Sequence, residues 1–156
     1  QSKQFDEISN AIKNNVTYCW YFFLEFIFIF TNRWKKQVGD LEIFSVGMVI
    51  MWHSLVTKSY EANGWNFSKW KKNKIIVPET GVNTMSISEI THIPRPTVVR
   101  KLNYLLKNKY ISVNKKKLFN VNMQDKTLTD TIKLQEKNVI SLSRLIFKIF
   151  GQINIR

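Results

Sequence analysis

Apolar residues recur every three or four positions from Phe5 through Ile8, Ile12, Val16, Trp20, Phe23, Ile27 and Phe30 to Trp34. That spacing is the period of one helix face and predicts a long N-terminal helix. Between Tyr18 and Phe30 every position except Glu25 is apolar. A helix apolar on all sides is either buried or in lipid. This run is well short of the roughly 20 residues that span a bilayer, and a carboxylate interrupts it. Burial is therefore expected, with part of the surface against a second copy of the chain. Gly39-Asp40 reads as a helix stop followed by a new N-cap. Leu41, Phe44, Met48, Trp52 and Leu55 then carry a second helical stripe toward Ala62, and Asn63-Gly64 ends it.

The pattern changes character between residues 84 and 122. Ser86-Ile87-Ser88-Glu89 has the form of a capping box, in which the serine caps the first amides of a short helix. Thr91-His92-Ile93 makes a turn, with Ile87 and Ile90 facing inward. Pro94 cannot continue the first helix, whereas Pro96 suits the opening turn of the next, where its missing N–H costs nothing. That second helix is predicted from about Pro96 to Asn108. Val98, Leu102 and Leu105 form its buried stripe, and Arg95, Thr97, Arg100, Lys101 and Tyr104 lie on or beside the opposite face. Tyr110–Val113 and Leu118–Asn122 then alternate as two strands around Asn114-Lys115-Lys116-Lys117. Apolar spacing resumes over 125–150 and predicts closing helices, from Leu128, Ile132, Leu134 and Val139 to Ile146, Ile149 and Phe150.

Charge sharpens this picture. The chain has 156 residues, 24 Lys plus Arg and 11 Asp plus Glu, a formal net charge of +13. Residues 1–63 are neutral, residues 64–117 carry +10 and the remainder +3. A concentrated positive block of this kind marks a polyanion partner, nucleic acid before anionic membrane; the plain alternative is a solvated lysine-rich surface. At 44% hydrophobic and 13% aromatic the chain can bury a core. The single cysteine, Cys19, excludes an internal disulfide framework and fits a cytoplasmic location. Trp65, Phe67 and Trp70 stand among four lysines, a texture that can stack on bases but more commonly pins a loop. Ile75-Ile76-Val77 reads as a short strand. His53 and His92 each stand apart from Cys or carboxylate clusters, and neither a paired nucleophile and base nor a glycine phosphate loop is present. No enzyme, cofactor, metal or membrane insertion is expected.

A short helix, a tight turn, a longer helix with a basic, hydroxylic face and a lysine-tipped hairpin together resemble a winged helix-turn-helix. The whole chain resembles the MarR (multiple-antibiotic-resistance regulator) family of bacterial transcription regulators, with the motif match covering residues 84–122. The resemblance implies a mainly α fold with a small β-wing and long dimerisation helices at both ends. Residues 1–63 would be N-terminal dimerisation and scaffold helices, 64–124 the basic loop plus DNA-binding lobe, and 125–156 the C-terminal dimerisation helices, in one compact domain. It further implies a homodimer that binds double-stranded DNA and regulates transcription. A small aromatic effector would sit between the dimer helices and the DNA-binding lobes. Pro96-Thr97-Val98-Val99-Arg100 matches the start of the family's recognition helix, Leu105 its late buried leucine, and Lys115, Lys116 and Lys117 the wing tip. Thr97, Arg100 and Tyr104 would then set bases or register, while Arg95, Lys101 and the wing lysines would meet phosphates. The alternative use is a winged helix for RNA, protein or non-regulatory DNA binding. The chain departs from the family at Lys109, where a glycine is usual, so that Asn108 is expected to take the left-handed position, and at 65–83, which resembles an insertion.

Overall fold

A computed structural model of the chain describes residues 3–59, 79–122 and 126–152. They are mainly helical with one small antiparallel sheet: α1 (Lys3–Asn14), α2 (Val16–Val38), α3 (Leu41–Ser59), α4 (Thr84–Thr91), α5 (Arg95–Lys107), β1 (Ile111–Val113), β2 (Phe119–Val121) and α6 (Lys126–Gln152). The expected helix stop at Asn63-Gly64, the aromatic and lysine stretch from Trp65 to Lys74, and the strand at Ile75-Ile76-Val77 lie outside the described residues. Internal contacts divide the chain into two compact units, residues 1–33 with 134–156 and residues 34–133. Those boundaries follow packing rather than the charge shifts at 63/64 and 117/118.

In the first unit the expected single N-terminal helix is interrupted at Asn15. Its backbone N–H bonds to Ile12 O, one residue short of the helical partner, and its side-chain amide bonds to Ala11 O. At the other end of the chain one continuous helix, α6, stands where closing helices were expected. Residues 16–33 and 134–152 are tied by Arg33, whose Nη1 donates to Lys137 O at 3.0 Å, Asn138 Oδ1 at 3.3 Å and Ser141 Oγ at 2.7 Å. Lys148 Nζ sits 5.7 Å over the Phe22 ring. Cys19 is buried here as a small apolar side chain. Most of the predicted stripe is not buried: Phe5, Val16, Trp20, Phe23 and Ile27 are exposed, together with Tyr21, Leu24 and Phe28, whereas Ile8, Ile12 and Phe30 are half-buried and Trp34 is buried. With apolar side chains all round, periodicity had no polar face against which to choose.

The second unit packs α3 against α4, α5 and the sheet, around Val46, Ile50, Ile87 and Val98, each with no exposed surface. α3 shows the same ambiguity as α2. Ile43, Val46, Val49 and Ile50 form its buried side, while Leu41, Met48, Trp52 and Leu55 of the predicted stripe are exposed. Its start is as expected, with the Ile43 N–H donating to Asp40 Oδ1 at 2.7 Å and Gly39 in a left-handed stop at φ 112°. α4 begins earlier than the capping box predicts. Asn83 is the N-cap, its side chain accepting from the Ser86 N–H at 2.8 Å, because asparagine caps as well as serine and stands first in the chain. Ser86, the expected cap, instead supplies the capped N–H from inside the helix, and the Ser88 hydroxyl donates to Ile93 O at 2.7 Å.

β1 and β2 pair antiparallel, with Ser112 opposite Asn120. Strands of three residues hold poorly alone. A third segment braces them: the Val82 N–H donates to Phe119 O at 3.2 Å and the Phe119 N–H to Val82 O at 2.8 Å. The approach is close enough to require the glycine beside it. A β-carbon on Gly81 would stand 2.9 Å from Phe119 O and 2.7 Å from Asn120 Nδ2. The end of α5 also differs from expectation. Lys109 itself is left-handed, at φ 60°, while Asn108 stays at φ −88°. Tyr110 N–H reaches Leu105 O at 2.9 Å and Lys109 N–H reaches Leu106 O at 3.0 Å, the two bonds of a Schellman cap. Those bonds place the left-handed turn one residue beyond Asn108. Two substitutions should therefore move stability in opposite directions. Gly81→Ala should lower unfolding free energy by about 1–3 kcal/mol through overpacking, and Lys109→Gly should raise it by about 1 kcal/mol by relieving the left-handed backbone. Urea unfolding of the two variants beside the parent chain measures both.

Candidate nucleic-acid interface

Residues 84–122 fold as α4, a three-residue turn, α5 and the β1–β2 hairpin. The turn is built from local chemistry. Thr91 Oγ1 donates to Ile87 O at 2.7 Å and accepts from the Ile93 N–H at 3.3 Å, and His92 takes the left-handed C-cap at φ 56°, a conformation histidine tolerates better than most residues. Ile93 is buried and Pro94 is the N-cap of α5. From there Val98, Leu102 and Leu105 seat the helix on the core as predicted. Residues on the opposite side face solvent.

The side chains expected at this surface divide into two groups. Arg95 and Arg100 are exposed, Thr97 is half-buried beside them, and none of the three is engaged by another described side chain. Lys101 is different. Its Nζ lies 2.7 Å from Asp40 Oδ2 and 3.2 Å from Glu42 Oε2, with 13% of the side chain exposed. It is turned back onto the start of α3 rather than outward, because two carboxylates there meet its ammonium. Tyr104 is partly exposed and leans the same way, its hydroxyl 3.6 Å from where a β-carbon on Gly39 would stand.

Helical spacing from Arg100 brings two further residues onto the exposed line, Asn103 and Lys107, both solvent-facing. They were missed although the signal was available. A buried stripe at 98, 102 and 105 leaves 100, 103 and 107 opposite it at 3.6 residues per turn.

The hairpin tip is held by Asn114. Its Oδ1 accepts from the N–H groups of Lys116 and Leu118, each at 3.0 Å, and its own N–H donates to Leu118 O. Lys117 closes the turn at φ 59°, so the loop is a tight turn ending in a left-handed residue. Lys115, Lys116 and Lys117 are all exposed. Lys116 lies 3.6 Å from Glu79, with both side chains well exposed, a pair worth little in water.

Beside this surface, Val38, Ile43, Phe44, Met48, Met51, Leu105, Tyr110 and Ile111 help line a largely apolar hollow open to solvent. Tyr110 is fixed at its rim, its hydroxyl donating to Gln37 O at 3.0 Å and accepting from Gln37 Nε2 at 3.2 Å. Among the described residues no three His, Cys, Asp or Glu side chains stand together as a metal site. No single helix among them is long and apolar enough to cross a membrane.

The Asp40–Lys101 pair carries a pH signature. Desolvation pushes the Asp40 carboxyl upward, but the Ile43 N–H, the Lys101 hydrogen bond and the Lys101 charge outweigh it and hold it below the ordinary carboxylate range. The Asp40 hydrogen bond raises Lys101 above the ordinary lysine range, against desolvation and with help from Glu42. A lowered carboxylate stabilises the fold above its unfolded pKa of about 3.9, and a raised lysine does so below about 10.4. The contribution is therefore full between those values. It fades as pH falls through the Asp40 transition or rises through that of Lys101. Lys101→Met should lower neutral-pH stability by about 1 kcal/mol, a figure kept small by the half-exposed carboxylates, and should flatten both flanks of the stability–pH curve. Thermal melts across the pH range measure it.

No known protein family, curated protein or solved structure matches the chain.

Proposed function

We propose that the chain is a sequence-specific double-stranded DNA-binding transcriptional regulator, a winged helix-turn-helix of the MarR type acting as a homodimer in the cytoplasm. One observation carries the reading. α5 is seated on the core by Val98, Leu102 and Leu105, Arg100 stands exposed on its opposite face, Arg95 is exposed and Thr97 half-buried at its first turn, and a three-lysine hairpin tip stands in the same compact unit. A helix anchored in this way can enter the major groove, where Arg100 addresses guanine N7 and O6. Arg95 and the tip lysines, Lys115 to Lys117, meet phosphates and hold the register. Lys101 leaves the phosphate set, since Asp40 and Glu42 already hold it. Tyr104 serves register from the side of Gly39.

Exposed Trp20, Tyr21, Leu24 and Phe28 on α2, with Ile140, Phe147 and Phe150 on α6, support the dimer. Apolar surface of this extent calls for a partner, and a second copy with the same patch supplies one. The apolar hollow beside Tyr110 is where a small aromatic effector would contact this unit.

Gel-shift titration on a duplex selected from a random pool, beside a scrambled duplex, tests the roles. Arg100→Ala should cost about 1–3 kcal/mol on the selected duplex and little on the scrambled one. Lys117→Ala should weaken both alike and reduce the salt slope by about 1. Equal losses on both duplexes for Arg100→Ala would remove its base-reading role. Sedimentation equilibrium should show a dimer for the parent chain and a monomer for Phe28→Glu.

A further inference from the structure

Resting on the duplex-DNA reading above, we infer that Asn103 reads adenine, so that with Arg100 on guanine each half-site carries a guanine and an adenine in neighbouring base pairs. Three observations lead there. The first is position. Asn103 follows Arg100 by three residues, on the side of α5 opposite the buried Val98, Leu102 and Leu105. Three residues of helix rise about 4.5 Å, close to the roughly 3.4 Å step between base pairs, so the two side chains address adjacent steps of one groove wall.

The second is the state of its amide. Asparagine is a weak helix former because its side chain competes for backbone groups, and elsewhere in this compact unit that competition is put to use. Asn83 caps α4, Asn108 bonds Tyr104 O, Asn114 shapes the hairpin tip, Asn120 bonds Thr80 O and Asn122 bonds Lys109 O. Asn103 is exposed in the middle of α5 and its amide is engaged by none of the described residues. It sits where alanine would make the better helix, without a structural task in return.

The third is chemical fit. A free carboxamide offers an acceptor and a donor side by side, which match the N6 amino group and N7 of adenine in the major groove. No other base presents that pair there. Lys107, one turn further along the same line, is a point charge suited to phosphate and carries no such pattern.

Selection of bound duplexes from a random pool, run with the parent chain, Asn103→Ala and Arg100→Ala, tests the assignment. The parent should enrich guanine and adenine at neighbouring positions. Asn103→Ala should keep the guanine and lose the adenine, with affinity for the parent's duplex reduced between about five- and a hundredfold. Replacing the selected adenine by 7-deazaadenine should weaken the parent similarly and leave Asn103→Ala unchanged, since N7 is then already unread. Alanine being the stronger helix former, the variant should melt no lower than the parent, which separates lost reading from lost folding. If Asn103→Ala selects the same sequence as the parent, the adenine assignment is overturned and the DNA reading stands. If the parent enriches no sequence at all, the DNA reading itself fails and the adenine assignment falls with it.

Discussion

The two carboxylate oxygens of Asp40 face in different directions. Oδ1 accepts the Ile43 N–H and starts α3; Oδ2 accepts the Lys101 ammonium and fastens α5 to that start. α3 supplies the greater part of the buried floor on which α4, α5 and the sheet rest. A rotation of α5 about its own axis would move every side chain on its exposed face together. The apolar stripe of Val98, Leu102 and Leu105 resists that rotation through packing, which is non-directional. The charged hydrogen bond to Asp40 is directional and adds a fixed angle. Position and angle of the exposed face thus come from different forces.

Much of this unit could be read along the chain. Pro94 and Pro96 marked the break and the restart, the 98/102/105 spacing gave the correct inner face of α5, Gly39-Asp40 marked the start of α3, and alternation with three lysines marked the hairpin. These signals are local, and polar residues beside the apolar ones make the face unambiguous. Where that contrast disappears, so does legibility. α2 and α3 are apolar on nearly every side, and most of the residues chosen for their stripes from spacing alone are exposed, Trp34 being a buried exception.

The candidate interface shows the same division. Lys101 reads from its neighbours as one more cation on a basic helix, because the carboxylates that hold it lie sixty-one residues away at Asp40 and fifty-nine away at Glu42. Long-range pairing leaves no trace in a local window. Lys109 shows the reverse case: the local rule asks for glycine or asparagine at a left-handed position, but the bonds from Tyr110 and Lys109 back into α5 fix where that position falls.

The brace between Val82 and Phe119 bears on the order in which the molecule assembles. A two-stranded ribbon of three-residue strands gains little by itself, and its third partner lies on the far side of α4 and α5 in the chain. The bonds at Phe119 can close only when the intervening helices have compacted enough to bring Val82 alongside, so the hairpin gains its support late, after loop-closure entropy has been met by helix packing. Interactions formed that late bear mainly on how fast the native state opens and little on how fast it is reached. The lysine tip therefore rides on a brace whose closure waits on the packing of α4 and α5.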